Sequence, residues 1–119
     1  MLPIARWRGQ AQGRNRAAAY QGFVWTVATH DDPAADIEEQ ARRCLAILDT
    51  NLAEAGTDKT RLVSAQVFLA DMIAKPRFDA VWNEWIGPDP GAWPQRACVG
   101  ATLAGACLVE IIVVAAGAG

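Results

Sequence analysis

The sequence predicts an α/β (α+β) fold in which two helices pack on one face of a mixed, mostly antiparallel β-sheet. Two segments repeat apolar residues at helical spacing, and the segments around them alternate apolar and polar residues with the period of a strand. Turn residues separate these segments in the order strand, strand, helix, strand, helix, strand, strand. With 119 residues, of which 52% are hydrophobic, the chain is expected to form a single domain over residues 1–119.

The first two strands are predicted at residues 17–20 and 23–27. Between them stands Gln21-Gly22, and a two-residue connection that ends in glycine is typical of a tight turn between antiparallel strands. The segment from residue 17 to residue 29 is therefore expected to form a β-hairpin.

The first helix is predicted to open at Asp31-Asp32-Pro33. An aspartate can cap the free amide groups of a helix start, and a proline suits the first helical position. Gly56 stands where a C-terminal cap is expected. The apolar stripe between them has helical spacing and consists of Ile37, Ala41, Cys44, Leu45, Leu48, Leu52 and Ala55.

The second half of the chain predicts a strand, a helix and two further strands. Residues 61–70 alternate with strand period, and Val63, Ala65, Val67 and Leu69 share one face. The second helix is expected to begin near Pro76 and to end at the Gly- and Pro-rich turn of residues 87–91. The final strands are predicted at about residues 96–103 and 107–116.

The last two strands are expected to pair as a hairpin, and its register would decide which side chains meet. A three-residue loop at 104–106 would place Glu110 opposite Gly100, on the same face as Arg96 and Cys98. A two-residue loop would instead place Glu110 opposite Val99, on the other face. Glu110 interrupts an otherwise apolar run, and a carboxylate is costly to bury unless something pairs with it or uses it.

Composition excludes several classes of function. The net charge of −2 and the scattered basic residues argue against nucleic acid as a partner, and the arginines near the start (Arg6, Arg8, Arg14 and Arg16) are interpreted as a solvated face. The three cysteines have no metal-type spacing, so no metal site is expected and reduced thiols in the cytoplasm fit best. No export segment and no apolar run long enough for a membrane span is recognised.

Several segments together resemble the Rid family, the reactive intermediate deaminases also called YjgF proteins. The resembling parts are Gln40 with residues 45–52, Ala55-Gly56, Val67-Phe68-Leu69-Ala70-Asp71, Pro94-Gln95-Arg96-Ala97-Cys98-Val99 and Val109-Glu110-Ile111. They follow the family order over nearly the whole chain. The resemblance implies a chorismate-mutase-like domain that assembles as a homotrimer with ligand clefts between subunits.

The resemblance also implies a chemistry, which is the addition of water to an imine or enamine next to a carboxylate. Ammonia is released and a 2-keto acid remains, without a cofactor. Arg96 matches the family arginine that grips the substrate carboxylate, a task suited to a planar, permanently charged guanidinium. Glu110 matches the family acid that positions the attacking water. Cys98 lies beside the site, where the family uses mainly the backbone, and it is not assigned as a nucleophile.

Three departures point to a branch outside the best-known deaminase. Arg14 stands where that branch has a tyrosine, and Val27 begins a Val-Ala-Thr stretch in place of Ser-Gly-Gln. Asp79 replaces an asparagine, which adds a negative charge and removes two donors. An arginine at position 14 would suit a substrate with two acidic groups.

Alternatives remain open beside the hydrolase reading. Arg96 and Glu110 could form a structural ion pair across the hairpin. The protein could be a carboxylate-binding or regulatory trimer without turnover, in which case Arg96 would matter and Glu110 would not. Ribonuclease activity, a label attached to the endoribonuclease L-PSP-like proteins of this family, has little support from a chain with one histidine.

Overall fold

The computed structural model describes residues 2–117, which form one six-stranded sheet in the order β1-β2-β3-β6-β4-β5. Along the chain the elements are β1 (Ala5–Arg8), β2 (Asn15–Tyr20), β3 (Phe23–Thr29), α1 (Ile37–Glu54), β4 (Leu62–Leu69), α2 (Lys75–Ile86), β5 (Gln95–Gly100) and β6 (Val109–Ala116). The predicted fold class is confirmed. Residues 1, 118 and 119 of the predicted 1–119 domain lie outside the described residues.

The β2–β3 hairpin is confirmed, and its turn explains the glycine. Tyr20 pairs with Phe23, so the chain reverses over the two residues between them. Gln21 has φ 49° and Gly22 has φ 85°, which are left-handed values that a glycine tolerates best.

The first helix begins later than the sequence predicts. Its N-cap is Asp36, whose Oδ1 accepts a hydrogen bond of 2.9 Å from the Glu39 amide. Asp32 caps a separate turn before it by accepting a bond of 2.9 Å from the Ala34 amide. Asp32 and Asp36 both offer a capping carboxylate, but Asp32 caps a turn and Asp36 caps the helix. The predicted ends are confirmed at Gly56 (φ 81°) for α1 and at Gly87 for α2.

The predicted hairpin of the last two strands is wrong. β5 pairs in parallel with β4, whereas β6 lies between β3 and β4 and is antiparallel to both. The path from β4 through α2 to β5 is a crossover, which is the connection that parallel neighbours require. Glu110 therefore stands opposite Thr29 of β3 and Phe68 of β4, and not opposite Gly100.

Both helices cover one face of the sheet and form the core there. The fully buried side chains of β4 and β6 point to this face and include Ala65, Val67, Leu69, Val109, Ile111 and Val113. Val63, predicted on the same face, is 47% exposed because the β4–β6 register shifts between Leu62 and Ser64. Leu62 is buried in its place.

The other side of the sheet, which we call the open face, is uncovered in the single chain. It carries Phe23 and Trp25 of β3, which are 44% and 42% exposed, and the half-buried Glu110 and Ile112 of β6. No helix among the described residues is long and apolar enough to cross a membrane.

Candidate functional site

The six residues predicted for the site form two separate groups in the structure. Glu110, Arg14 and Val27 line one cavity at the open face, together with Thr29 and Cys107. This cavity has a volume of about 440 Å³, which is within the range of small-molecule sites. Arg14, interpreted from the sequence as part of a solvated face, thus stands in the same concave surface as the one carboxylate of β6.

The connection before β6 brings Cys107 and Glu110 to this cavity, and Gln40 of α1 fixes it. The Gln40 side chain is fully buried; its Nε2 donates to the Ala106 carbonyl at 3.0 Å and its Oε1 accepts from the Leu108 amide at 2.8 Å. Burying an amide is favourable only when its polar atoms are paired in this way. The sequence assigned no role to Gln40, although a glutamine within the apolar stripe of a helix was a usable signal.

Arg96, Asp79 and Cys98 form the second group, between β5 and α2. Nη2 of Arg96 donates to Oδ1 of Asp79 at 2.7 Å, and Oδ2 of Asp79 accepts from Nζ of Lys75 at 2.7 Å. The ion pair of Arg96 is therefore with Asp79, and the alternative of a pair with Glu110 is not what this chain forms. The Arg96 side chain is only 19% exposed.

Aromatic rings also hold the Arg96 guanidinium. Its Cζ lies 5.7 Å from the centre of the Phe78 ring and 5.2 Å from that of Trp82, distances at which a cation is attracted to a ring face. Since one nitrogen binds Asp79 and the group rests on two rings, the orientation of the guanidinium is fixed before any ligand arrives.

The two groups lie on opposite sides of the sheet. Arg96 is in register with the buried Ala65, whereas Glu110 is in register with Phe68, and alternation places Ala65 and Phe68 on opposite faces. Within one chain the sheet thus separates the arginine from the carboxylate.

The thiols of this region are not activated. Burial raises the pKa of Cys98 above its usual value, although the positive charges of Arg96 and Lys75 oppose the shift. Burial likewise raises the pKa of Cys107, which is half-buried and lines the Glu110 cavity. Cys44 is a core residue, and burial raises its pKa to about 12.

Asp79 gives a prediction for the pH dependence of stability. Burial works against its charge, but hydrogen bonds from Lys75 and Arg96 outweigh burial and hold the pKa of this carboxyl below its usual value. Such a group stabilises the fold above its unfolded-state pKa, and the contribution is lost as the pH falls through its folded-state pKa. We expect Asp79→Asn to be less stable than the intact protein near neutral pH and to lose less stability below about pH 4.

Urea unfolding at a series of pH values measures this difference. Glu84→Gln, an exposed carboxylate on the same helix, is the matched control and should follow the intact protein. An Asp79→Asn curve that runs parallel to that of the intact protein would contradict the prediction.

No group of three or more His, Cys, Asp or Glu side chains that could hold a metal ion is found within residues 2–117.

Comparisons with known proteins bear on the family and the fold of this chain. The family profile described as Endoribonuclease L-PSP matches residues 3–117. A RutC family protein from Haemophilus influenzae is 38% identical over 116 residues, which cover 97% of this chain and 94% of the relative. A second RutC family protein, from Haemophilus ducreyi, is 33% identical over 104 residues, covering 86% of this chain and 87% of the relative.

Solved structures agree with the sequence relatives. A member of the YjgF protein family from Neisseria meningitidis superposes with a TM-score of 0.89 at 29% identity, covering 98% of this chain and 97% of the other. A protein of the Rid family from Yersinia pestis superposes with a TM-score of 0.86 and covers 96% of this chain and 99% of the other. At 21% sequence identity, this similarity supports the fold only.

Proposed function

The chain belongs to the Rid/YjgF family, and on this premise we propose that it hydrolyses an imine or enamine next to a carboxylate, releasing ammonia and leaving a 2-keto acid. The substrate is a small carboxylate, and the reaction needs only water and the side chains of the protein. Arg96 binds the substrate carboxylate and Glu110 directs the water.

Each role follows from the chemistry of its group. The guanidinium of Arg96 has donors beyond the one that binds Asp79, so it can still offer parallel hydrogen bonds to a ligand carboxylate. Glu110 accepts a proton from water as its oxygen attacks the carbon of the C=N bond. Glu110 returns this proton to the nitrogen, which gives a tetrahedral carbinolamine. The hydroxyl proton then moves to the amino nitrogen as the C–N bond breaks, so C=O forms and ammonia leaves. An enamine enters this sequence after a proton has moved from its nitrogen to its β-carbon, which gives the imine.

The observation that carries the proposal is the position of Glu110. It is the one charged residue of β6, it is half-buried, and its side of the strand opens into a cavity whose wall includes the cationic Arg14. A carboxylate in an otherwise apolar strand that lines a cavity supports a role in proton transfer, because a ligand and water can reach it there.

We propose that the working form is a homotrimer in which neighbouring subunits share each cleft. The sheet of one chain separates Arg96 from Glu110, so a complete site needs Arg96 from one subunit and Glu110 from the next. The exposed aromatic residues Phe23 and Trp25 of the open face supply apolar surface for such contacts. All three cysteines are free thiols, which supports a reducing compartment such as the cytoplasm.

Ammonia release from freshly generated 2-imino acids tests this function. The intact protein is expected to accelerate release over buffer, and sedimentation should give the mass of three subunits. Failure to accelerate release from any 2-imino acid supplied would contradict the proposal.

The rival function, a carboxylate-binding trimer without turnover, draws support from Asp79. The ion pair with Asp79 fixes the Arg96 guanidinium before a ligand arrives, which favours carboxylate binding whether or not turnover follows. The two functions differ at Glu110, because binding chiefly needs the arginine whereas hydrolysis also needs the carboxylate. Glu110→Gln should keep ligand affinity in both cases but change turnover only if the protein is a hydrolase.

A further inference from the structure

A second cavity adjoins the Glu110 cavity and is rich in arginine. It has a volume of about 480 Å³, and its lining includes Arg6, Arg14, Trp25 and Ile112. Arg14 and Val27 line both cavities, so the two form one continuous concave surface on the open face.

The second cavity exists because a small residue stands between two large ones. Arg6 of β1 pairs with Ala18 of β2, and Ala18 pairs with Trp25 of β3. Residues directly opposite on antiparallel strands share a face, so these three side chains form a row. The small Ala18 side chain lies at the bottom of the cavity, and the Arg6 guanidinium and the Trp25 indole line its two sides.

The charges here are available to a ligand. A third arginine of this region, Arg16, is already engaged, since it forms an ion pair with Glu54 and donates to Oδ1 of Asn51 at 2.7 Å. Within residues 2–117, neither Arg6 nor Arg14 forms an ion pair or a side-chain hydrogen bond, and both are exposed. Two free guanidinium groups against the single carboxylate of Glu110 leave the combined surface with an excess of positive charge.

We propose that the substrate carries a second acidic group and that Arg14, assisted by Arg6, binds it. This inference rests on the proposed function and narrows its substrate to an imine or enamine dicarboxylate. The carboxylate next to the C=N bond binds the partner subunit's Arg96, the reactive carbon lies at Glu110, and the far acid reaches Arg14. Without Arg14, the negative charge of Glu110 would repel a dianion; with it, the dianion is preferred over a monoanion.

Turnover of two imines tests the proposal. One is 2-iminoglutarate, made fresh from L-glutamate by an amino acid oxidase, and the other is 2-iminopropionate, made in the same way from L-alanine. We expect the intact protein to favour the dicarboxylate in kcat/KM. Arg14→Gln should lower kcat/KM for the dicarboxylate about 10-fold to 100-fold, the size of one charge-assisted hydrogen bond, and leave that for the monocarboxylate within about twofold.

Arg8→Gln is the matched control, because it removes the same charge from β1, close to the β1–β2 connection that carries Arg14, at a residue that lines neither cavity. It should leave both substrates unaffected. Equal turnover of the two imines by the intact protein, or an equal effect of Arg14→Gln on both, would overturn the inference while the proposed function stands.

Should the intact protein hydrolyse neither imine, the proposed function fails and the inference is decided by binding. Calorimetric titration with 2-oxoglutarate and with pyruvate, which are stable keto acids, then compares a dianion with a monoanion. Tighter binding of 2-oxoglutarate that Arg14→Gln removes supports the second acid site. Equal affinity for the two acids overturns it.

Discussion

A mixture of Arg96→Ala subunits and Glu110→Gln subunits should regain about one quarter of the activity of the intact protein. Each variant alone is expected to be about 100-fold or more less active. The reason for the recovery is the separation of the two side chains by the sheet. If each cleft takes its arginine from one subunit and its carboxylate from the next, random mixing gives about one cleft in four with both groups intact.

The mixture is made by refolding the two variants together at fixed total protein, and ammonia release is measured against the mixing ratio. Activity should peak at equal amounts of the two. The control mixture combines Arg96→Ala subunits with subunits that carry both substitutions, and it should stay inactive at every ratio because no cleft then has an arginine. Mixed trimers, verified by native mass spectrometry, that remain inactive would show that the cleft is not shared in this way.

Phe78→Ala is expected to lower the free energy of unfolding by about 3–5 kcal/mol. Phe78 is fully buried on α2, where its ring lies 6.4 Å from that of Trp82 and contacts the sheet core. Truncation removes buried apolar surface and leaves a cavity that the rigid helix–sheet contact cannot close. The Arg96 guanidinium also loses one of the two rings on which it rests.

Urea unfolding at a single protein concentration measures the loss. Ile73→Ala is the control, because Ile73 stands just before α2 and is 87% exposed, so its truncation should change stability by less than about 0.5 kcal/mol. Phe78→Leu should fall between the two, since it keeps most of the volume. A loss below about 1 kcal/mol for Phe78→Ala would mean that α2 contributes little to the packed core.

Local patterns predicted the local elements well. The hairpin at Gln21-Gly22 and the end of α2 at Gly87 depend on a few neighbouring residues, and both are present in the structure. The strand β1 was missed because its four residues, Ala5–Arg8, include two arginines and lie at an edge with most side chains exposed. A strand without a buried face has no alternation to detect.

The pairing of strands distant in sequence could not be predicted in the same way. Adjacent strands were assumed to form a hairpin, yet β6 pairs with β3 and β4. A signal was present, since Ile111, Ile112, Val113 and Val114 are apolar on both faces, which is typical of an interior strand. Because β6 was predicted to pair with β5, Arg96 and Glu110 were expected on one surface of one chain. The lone carboxylate in an apolar strand was nevertheless recognised from the sequence.

The central place of β6 has a consequence for how the protein is made. Residues 109–116 form the last strand in the sequence. The edges of β3 and β4 that pair with it are therefore unpaired when these strands leave the ribosome. Until β6 arrives, the nascent chain presents two open strand edges of the kind that recruits foreign strands. A chain cut short before Val109 thus lacks both the strand that joins β3 to β4 and the candidate catalytic carboxylate Glu110.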